Sequence, residues 1–167
     1  MLSPADRSPI PQAEAPRDCP LCPRLVAFRH ECRAEHPGWW NAPVPAFGDP
    51  QAWLAIVGLA PGKHGANRTG RMFTGDSSGD WLYKALYETG FASQPNSDHS
   101  DDGLELQDVY IMASAHCAPP QNKPTTAEIT NCAPFLKQTV DALENLQIVL
   151  CLGRIAFDHY KKLFNLK

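Results

Sequence analysis

The sequence predicts a three-layer α/β fold, with helices on both faces of a largely parallel sheet. Three observations lead to this prediction. Short apolar runs at 53–57, 109–115 and 147–152 have the length and composition of buried strands. Segments with apolar residues at helical spacing separate these runs. A glycine-rich loop follows the first run directly, as in open sheets that receive a ligand at the carboxyl end of a strand.

The first strand and the helix after it have clear boundaries. The apolar run Trp53–Val57 stops at Gly58, and apolar residues at helical spacing resume at Trp81. This helix is predicted to end near Gly90, because glycine is favoured just after a helix, where the backbone turns left-handed.

The other elements are predicted from weaker signals. A helix-like run covers 24–34, whereas 36–50 holds several prolines and glycines and is predicted to be irregular. After the second strand, Thr125 or Thr126 can cap a helix that Pro134 breaks or kinks. A last helix follows the third strand.

Composition places further limits on the class of protein. Residues 1–15 are polar and rich in proline, so we expect a disordered tail there and one domain over 16–167. The net charge of −3 does not by itself indicate a nucleic-acid partner. Because no signal peptide or apolar run near the ~20 residues of a membrane span occurs, we expect an intracellular protein with no membrane partner.

The loop that follows Gly58 is where we expect a ligand. No acidic residue precedes Asp76 in this loop, which contains Lys63, Arg68 and Arg71. Exposed glycine N–H groups together with cations suit an anionic ligand such as a phosphate backbone. The loop has neither the P-loop pattern nor the dinucleotide pattern, so binding of a free nucleotide is disfavoured. Asp76 is then either a functional carboxylate in a positive surrounding or simply the N-cap of the next helix.

The cysteines suggest a bound metal. Cys19 and Cys22 form a C-x-x-C pair, and Cys117 and Cys132 flank a loop–helix unit, so four thiolates can converge. Such a set favours an iron–sulfur cluster or a four-cysteine zinc site, and the spacing does not choose between them. Unconnected thiols remain the alternative, and Cys151 is explained as a small buried hydrophobic residue.

Four stretches of the chain carry a more specific pattern. They read C-P-L-C-P-R-L-V from Cys19, G-L-A-P-G-K-H-G-A-N-R-T-G-R-M-F-T-G-D from Gly58, C-A-P-P-Q-N-K-P-T from Cys117 and C-L-G-R-I-A from Cys151. In these stretches the chain resembles the uracil-DNA glycosylase superfamily, and most of all its fifth type. The resemblance spans roughly Cys19 to Ala156. It implies a central, mainly parallel sheet of four strands and excision of uracil and other deaminated bases from DNA.

The resemblance also implies roles for individual residues. Asp76 and Asn122 would support catalysis, and Phe73 would stack on the flipped base. A structural [4Fe–4S] cluster would be held by Cys19, Cys22, Cys117 and Cys132. We expect the base to lie against Gly58, Leu59 and Ala60, and the DNA backbone to contact Lys63, His64, Arg68, Arg71 and Lys123.

Each assignment has a plainer alternative. Phe73 could belong to the core, Asn122 could be a turn residue, and His64 could be a loop histidine without a catalytic part. Arg68 and Arg71 could be solvated charges. Similarly, the acidic segment 98–108 could be no more than a solvated loop.

The resemblance is incomplete at the C-terminal end. In the family, the chain continues to a later His-x-Ser motif, which does not occur after Cys132 in this sequence. We therefore expect the domain to be incomplete there, with an open sheet edge. One alternative function is a non-catalytic DNA-binding or damage-sensing iron–sulfur module, and another is a hydrolase or transferase of small molecules. For the enzyme we expect a monomer associated with the nucleoid.

Overall fold

The computed structural model describes residues 14–167. In this range the chain forms five helices, one 3-10 turn and four strands. In chain order they are α1 (Pro23–Glu35), β1 (Phe47–Gly48), β2 (Leu54–Gly58), α2 (Ala66–Thr69), α3 (Ser77–Glu88), β3 (Val109–Ala113), a 3-10 turn (Pro120–Asn122), α4 (Thr126–Ala142), β4 (Ile148–Cys151) and α5 (Arg154–Leu163).

The strands form one mixed sheet in the order β1-β3-β2-β4. The three longer strands are parallel, and β1 pairs antiparallel with β3. In the register of the sheet, Ile56 of β2 lies opposite Ile111 of β3 and Leu150 of β4. This confirms the prediction of a mainly parallel, four-stranded sheet in an α/β fold.

Alternate residues of the strands build two hydrophobic cores, one on each face of the sheet. On one face, Ile56 and Ile111 pack with Tyr83 of α3. On the other face, Val57 packs with Leu136 of α4, in a cluster that also contains Tyr160 of α5. The molecule is therefore a three-layer sandwich, with α3 on one side and α4 and α5 on the other.

Local sequence signals explain where the helices begin and end. The Asp76 side chain caps α3, and Gly90 follows the same helix with a φ of +83°. Thr125 and Glu128 form a reciprocal capping box at the start of α4. Pro134 was expected to break or kink this helix; it does not break it, because α4 runs through this exposed residue.

Three predictions need correction or qualification. The fourth strand, β1, lies in the segment 36–50, which was predicted to be irregular, and α2 forms one turn inside the glycine-rich loop. Residues 1–13 of the predicted tail lie outside the described residues. Glu14, at the end of that tail, packs against the domain, since its carboxylate accepts a hydrogen bond from the Ala46 N–H. Within 14–167, no helix combines the length and apolar character that a membrane span requires.

The topology fixes where a ligand can bind. β2 lies between β3 and β4, and the connections carrying α3 and α4 run on opposite faces of the sheet. The strand order therefore reverses at β2. In open α/β sheets, the carboxyl ends of the strands at such a point leave a crevice for a ligand.

Candidate active site

Asp76 lies in the crevice at the carboxyl end of β2. One carboxylate oxygen, Oδ1, accepts a hydrogen bond of 3.1 Å from the Gly79 N–H and so caps α3. The other oxygen, Oδ2, lies so close to Gly65 that a side chain there would collide with it. The two interpretations of Asp76 from the sequence are therefore compatible, since each uses a different oxygen.

The loop after β3 approaches the same place. A Cβ built on Gly62 would lie 3.5 Å from Asp76 Oδ2 and 3.8 Å from the amide oxygen of Asn122. Asn122 and Gln121 both have a φ of +56°, which turns the chain sharply there. Gly62, Gly65, Asp76 and Asn122 are thus close neighbours, and we call this group the cup.

Phe73 forms another part of this region. Its ring lies against the backbone of Gly58, where a Cβ would be only 2.6 Å from Phe73 Cζ. Its own backbone has a φ of +53°, which is rare for an aromatic residue and marks a strained turn. The half-buried ring packs against the core on the α3 side. Phe73 therefore does pack against the core, as its plainer interpretation predicts. The strained turn indicates that packing is not the only reason for an aromatic residue at this position.

The segment after β2 also contains backbone donors without a partner among the described residues. Leu59 and Gly62 use their carbonyl groups, which accept hydrogen bonds from Ala115 and Asn67. By contrast, the N–H groups of Ala60 and Gly62 donate to no acceptor within 14–167. Both residues are partly exposed, so these donors can serve a ligand oxygen.

The structure separates the predicted DNA-contacting cations into two groups. Arg68 is exposed, and its guanidinium donates to the carbonyls of His64 and Gly75, which do not neutralise its charge. His64 and Lys123 are also exposed. Lys63 is instead paired with Glu35 of α1 at 2.8 Å, so its charge is largely compensated.

The prediction that Arg71 contacts DNA is wrong. Its side chain is 4% exposed and forms an ion pair of 2.7 Å with Asp102, whose side chain is 7% exposed. Arg71 also donates to Ser97 Oγ at 2.9 Å, and the Ser97 hydroxyl lies 2.7 Å from that of Thr74. These contacts join the turn that carries Phe73 to the acidic segment after α3.

Asp102 and Ser97 were missed as structural partners of the loop. Burial alone would raise the pKa of Asp102. The Asp98 and Leu104 N–H groups and the Arg71 guanidinium outweigh burial, and the pKa is lowered to about 2. The signal was present in the sequence as an acidic cluster 98–108, but nothing in its composition shows that one member is buried.

The four predicted cysteine ligands line a single cavity. Cys22 lies at the start of α1 with Cys19 just before it, Cys117 follows β3, and Cys132 belongs to α4. Burial raises the pKa of the Cys117 thiol to about 11 and that of Cys132 to about 12. Cys151 lies in β4 and not in this cavity.

Donors surround the sulfur atoms. The Arg29 guanidinium is 3.8 Å from Cys117 Sγ, the Asn131 amide is 3.6 Å from Cys22 Sγ, and the His116 N–H is 3.3 Å from Cys132 Sγ. Arg29 is 5% exposed, its Nε has no partner, and no carboxylate within the described residues pairs with it. A buried cation of this kind suits a site whose thiols become anionic on binding a metal group.

The four thiols share one cavity in the described structure without being gathered at one point. Within 14–167, no three His, Cys, Asp or Glu side chains are placed to hold one metal ion. Yet four thiols face one cavity.

Fold and site together define a doubly wound α/β protein with a carboxylate-bearing ligand cup at its strand ends. The family model described as the uracil DNA glycosylase superfamily matches residues 45–167. The chain belongs to the uracil-DNA glycosylase superfamily.

Similarity to individual relatives is also high. The chain is 47% identical to the type-5 uracil-DNA glycosylase of Thermus thermophilus over 156 residues, covering 89% of this chain and 70% of the relative. It is 44% identical to the type-5 enzyme of Pyrobaculum aerophilum, covering 84% of this chain and 63% of the relative. A type-4 uracil-DNA glycosylase of Archaeoglobus fulgidus is 31% identical over 125 residues, 74% of this chain and 55% of the relative. The resemblance to the fifth type is thus confirmed, and the chain spans roughly two thirds of the length of these type-5 relatives.

Proposed function

We propose that this chain removes uracil, and other deaminated bases, from DNA by hydrolysing the N-glycosidic bond. The observation that carries the proposal is the closeness of Asp76 Oδ2 and Asn122 at the strand ends. Backbone N–H groups without a partner among the described residues lie in the same loop, and the chain belongs to the uracil-DNA glycosylase superfamily.

The base must leave the duplex before the bond can be reached. Extrusion costs a few kcal/mol, and less for a mispaired uracil, which favours damaged sites. Stacking on an aromatic ring is worth ~1–3 kcal/mol and can offset that cost. We assign this role to Phe73; the contact of its ring with Gly58 at the strand end and the support of its turn by the Arg71–Asp102 pair favour the assignment.

Asp76 supplies the charge that the reaction needs at the sugar. Cleavage of a glycosidic bond builds positive charge on the sugar ring. A carboxylate oxygen in the cup stabilises that charge and accepts a proton from the attacking water. Because Oδ1 is engaged in capping α3, Oδ2 is the oxygen that faces this chemistry, and the cap holds it in place.

The departing base carries the opposite charge. As the bond breaks, negative charge develops on the oxygens of the uracil, where hydrogen-bond donors stabilise it. The N–H groups of Ala60 and Gly62 are available for this purpose within the described residues. Asn122 lies across the cup and can hydrogen bond to the base or to the water through its amide.

We assign a structural [4Fe–4S] cluster to Cys19, Cys22, Cys117 and Cys132. The four thiols around one cavity, the three donors to sulfur and the uncompensated Arg29 support a bound metal group. The family resemblance favours a [4Fe–4S] cluster over a zinc ion. When bound, the cluster would join α1, the loop after β3 and α4, and it would contribute no step to the hydrolysis. Since the loop after β3 carries Asn122, the cluster would also help to place that residue.

DNA containing a deaminated base is the partner that follows from this proposal. The exposed cations Arg68 and Lys123, with His64, are the groups available for its phosphates. A monomeric state and association with the nucleoid stay predictions.

A single-turnover assay on a duplex with one U·G mispair tests the function. The wild-type chain should convert the uracil to an abasic site, whereas the same duplex with thymine should remain intact. Asp76→Asn keeps a good N-cap but removes the charge, so we expect the rate to fall ~10²–10³-fold. Asp80→Asn, an exposed acid in the first turn of the same helix, should keep the wild-type rate.

Two outcomes would redirect the proposal. An Asp76→Asn rate within a few-fold of wild type would assign the chemistry to another group. Binding of the uracil duplex without any excision by the wild-type chain would instead support the non-catalytic DNA-binding module.

A further inference from the structure

A broad cleft lies beside the cup and is not used by the proposed chemistry. Its volume is about 660 Å³, which is enough for a nucleotide. Arg68 links the two regions, because it lines the cleft while its Nη2 lies 3.4 Å from the carbonyl of Gly75, the neighbour of Asp76. The cleft is lined mainly by polar and aromatic residues, among them Arg17, Trp39, Trp40, Arg68, Asp98 and His99.

The aromatic part of the cleft is held rigidly. Trp39 stacks on His36 with ring centroids 3.8 Å apart and planes 11° apart, and His64 meets it edge-on at 5.5 Å. The Trp40 indole donates to the Pro43 carbonyl at 3.0 Å. Rings fixed in this way lose little conformational freedom when a further flat group packs against them.

The cations of the cleft are free to meet an anion. The Arg17 guanidinium lies 5.3 Å from the centre of the Trp40 ring and donates to the Trp40 carbonyl at 3.4 Å. The hydrogen bonds of Arg68 also go to carbonyls. Neither group is neutralised by a carboxylate contact among the described residues, whereas Asp98 places one negative charge in the lining.

Aromatic rings next to uncompensated arginines are the combination that binds single-stranded nucleic acid, because bases stack on the rings and phosphates meet the cations. We propose that this cleft binds unpaired nucleotides of the DNA strand next to the everted base, with a base on Trp39 and phosphates at Arg17 and Arg68. The inference rests on the proposed function in taking DNA as the partner, and it extends that function to a flanking-strand subsite.

Binding can be measured without the reaction. The probe is a fluorescein-labelled, uracil-free, single-stranded oligonucleotide, whose anisotropy reports Kd over a range of salt concentrations. We expect Trp39→Ala to weaken binding ~10-fold, with Trp39→Phe restoring most of it. Arg17→Ala should lower the salt slope by ~0.7, the value for one phosphate contact on a single strand.

Removal of the negative charge of Asp98 should strengthen binding, whereas the two substitutions above should weaken it. Asp98→Asn should tighten binding ~2–5-fold, since it removes a repulsive charge facing the phosphates. Matched controls lie elsewhere on the surface: Arg154→Ala removes an arginine that is 91% exposed, and Tyr87→Ala removes an aromatic ring that is 48% exposed. Both controls should bind as the wild type does.

Several results would overturn the inference. The first is a Kd for Trp39→Ala and Arg17→Ala within two-fold of the wild-type value. The second is no binding of the oligonucleotide by the wild type at low salt. The third is equally tight binding of a polyanion that lacks bases. Should Trp39→Ala unfold, Arg17→Glu and Asp98→Asn give the same test. The uracil duplex assay keeps the two proposals separate: excision without Trp39-dependent binding contradicts only the cleft, and Trp39-dependent binding without excision contradicts only the catalytic function.

Discussion

Asp76 shows how one side chain can serve both stability and chemistry. Its Oδ1 caps α3 through Gly79, and its Oδ2 occupies the cup against Gly65. Capping by an acid is worth about 1 kcal/mol and also fixes the χ angles of the carboxylate. The oxygen to which we assign the chemistry is therefore positioned by the fold before any ligand arrives, and the absence of a side chain at Gly65 is a condition for that position.

Gly65→Ala tests this condition. The new Cβ would collide with Asp76 Oδ2 and lie 3.1 Å from its Cγ, so the carboxylate must move out of the cup. We expect excision to slow ~10–100-fold, because a displacement of about 1 Å in a catalytic group has effects of this size. Single-turnover rates on the U·G duplex measure the change.

A double-mutant cycle gives the control for Gly65→Ala. If the substitution acts through Asp76, the pair Gly65→Ala with Asp76→Asn should be no slower than Asp76→Asn alone. Independent, additive losses would contradict the proposed contact and would indicate a general disturbance of the loop.

At the scale of elements, the glycine-rich loop is held by a partner that the sequence did not reveal. Arg71 and Asp102 form a buried ion pair, and Ser97 and Thr74 extend it to the turn of Phe73. Removal of one partner from a buried pair leaves the other charge without compensation and typically costs 3–5 kcal/mol. The acidic segment after α3 is thus a support for the candidate site rather than only a solvated loop.

Asp102→Asn should therefore destabilise the protein by about 3 kcal/mol in urea unfolding at neutral pH. The sign of the pH effect follows from the lowered pKa. The folded value of about 2 lies below the ordinary 3.8, so the carboxylate stabilises the fold above pH ~4. About 2 kcal/mol of this stabilisation should disappear as the pH falls from 4 to 2.

The surface offers a matched comparison for Asp102→Asn. Asp18 pairs with Arg33 at the same 2.7 Å distance, but its side chain is 70% exposed. Asp18→Asn should leave the urea midpoint nearly unchanged, because exposed ion pairs contribute little. Equal losses of stability in Asp18→Asn and Asp102→Asn would show that burial does not increase the contribution of the Arg71–Asp102 pair.

The elements also show what could be predicted from the sequence. The strands β2, β3 and β4 and the helices between them were predicted correctly, because continuous apolar runs and caps such as Thr125 are local signals. β1 has only two residues and is defined by its pairing with β3, so no local pattern marks it. Arg71 was misassigned for a related reason: its partner is 31 residues away, and sequence composition does not show which charges are buried.

At the scale of the whole molecule, the four cysteines connect parts of the chain that are far apart in sequence. Cys19 and Cys22 precede the sheet, Cys117 follows its second parallel strand, and Cys132 lies in the helix that leads to the third. A group bound by all four would therefore close long loops and stabilise the fold against unfolding. Their convergence followed from the family resemblance, since spacing alone left open whether the thiols meet.

Purification without oxygen tests the cluster. The wild-type chain should be brown and contain about four irons, whereas Cys132→Ser should be pale and unfold at a lower temperature. Cys151→Ser should retain the colour, because this cysteine lies in β4 outside the cavity. A colourless, zinc-loaded and fully folded wild-type protein would contradict the assignment.

Glu128 has a consequence for how the cysteine cavity is assembled. It completes the capping box of α4 and also pairs with Arg24 of α1 at 2.7 Å, so it ties together the two helices that present Cys22 and Cys132. This tie uses no sulfur atom. Assembly of the proposed cluster from iron and sulfide should accordingly be limited by delivery of the inorganic components, since the polypeptide itself holds these two helices together.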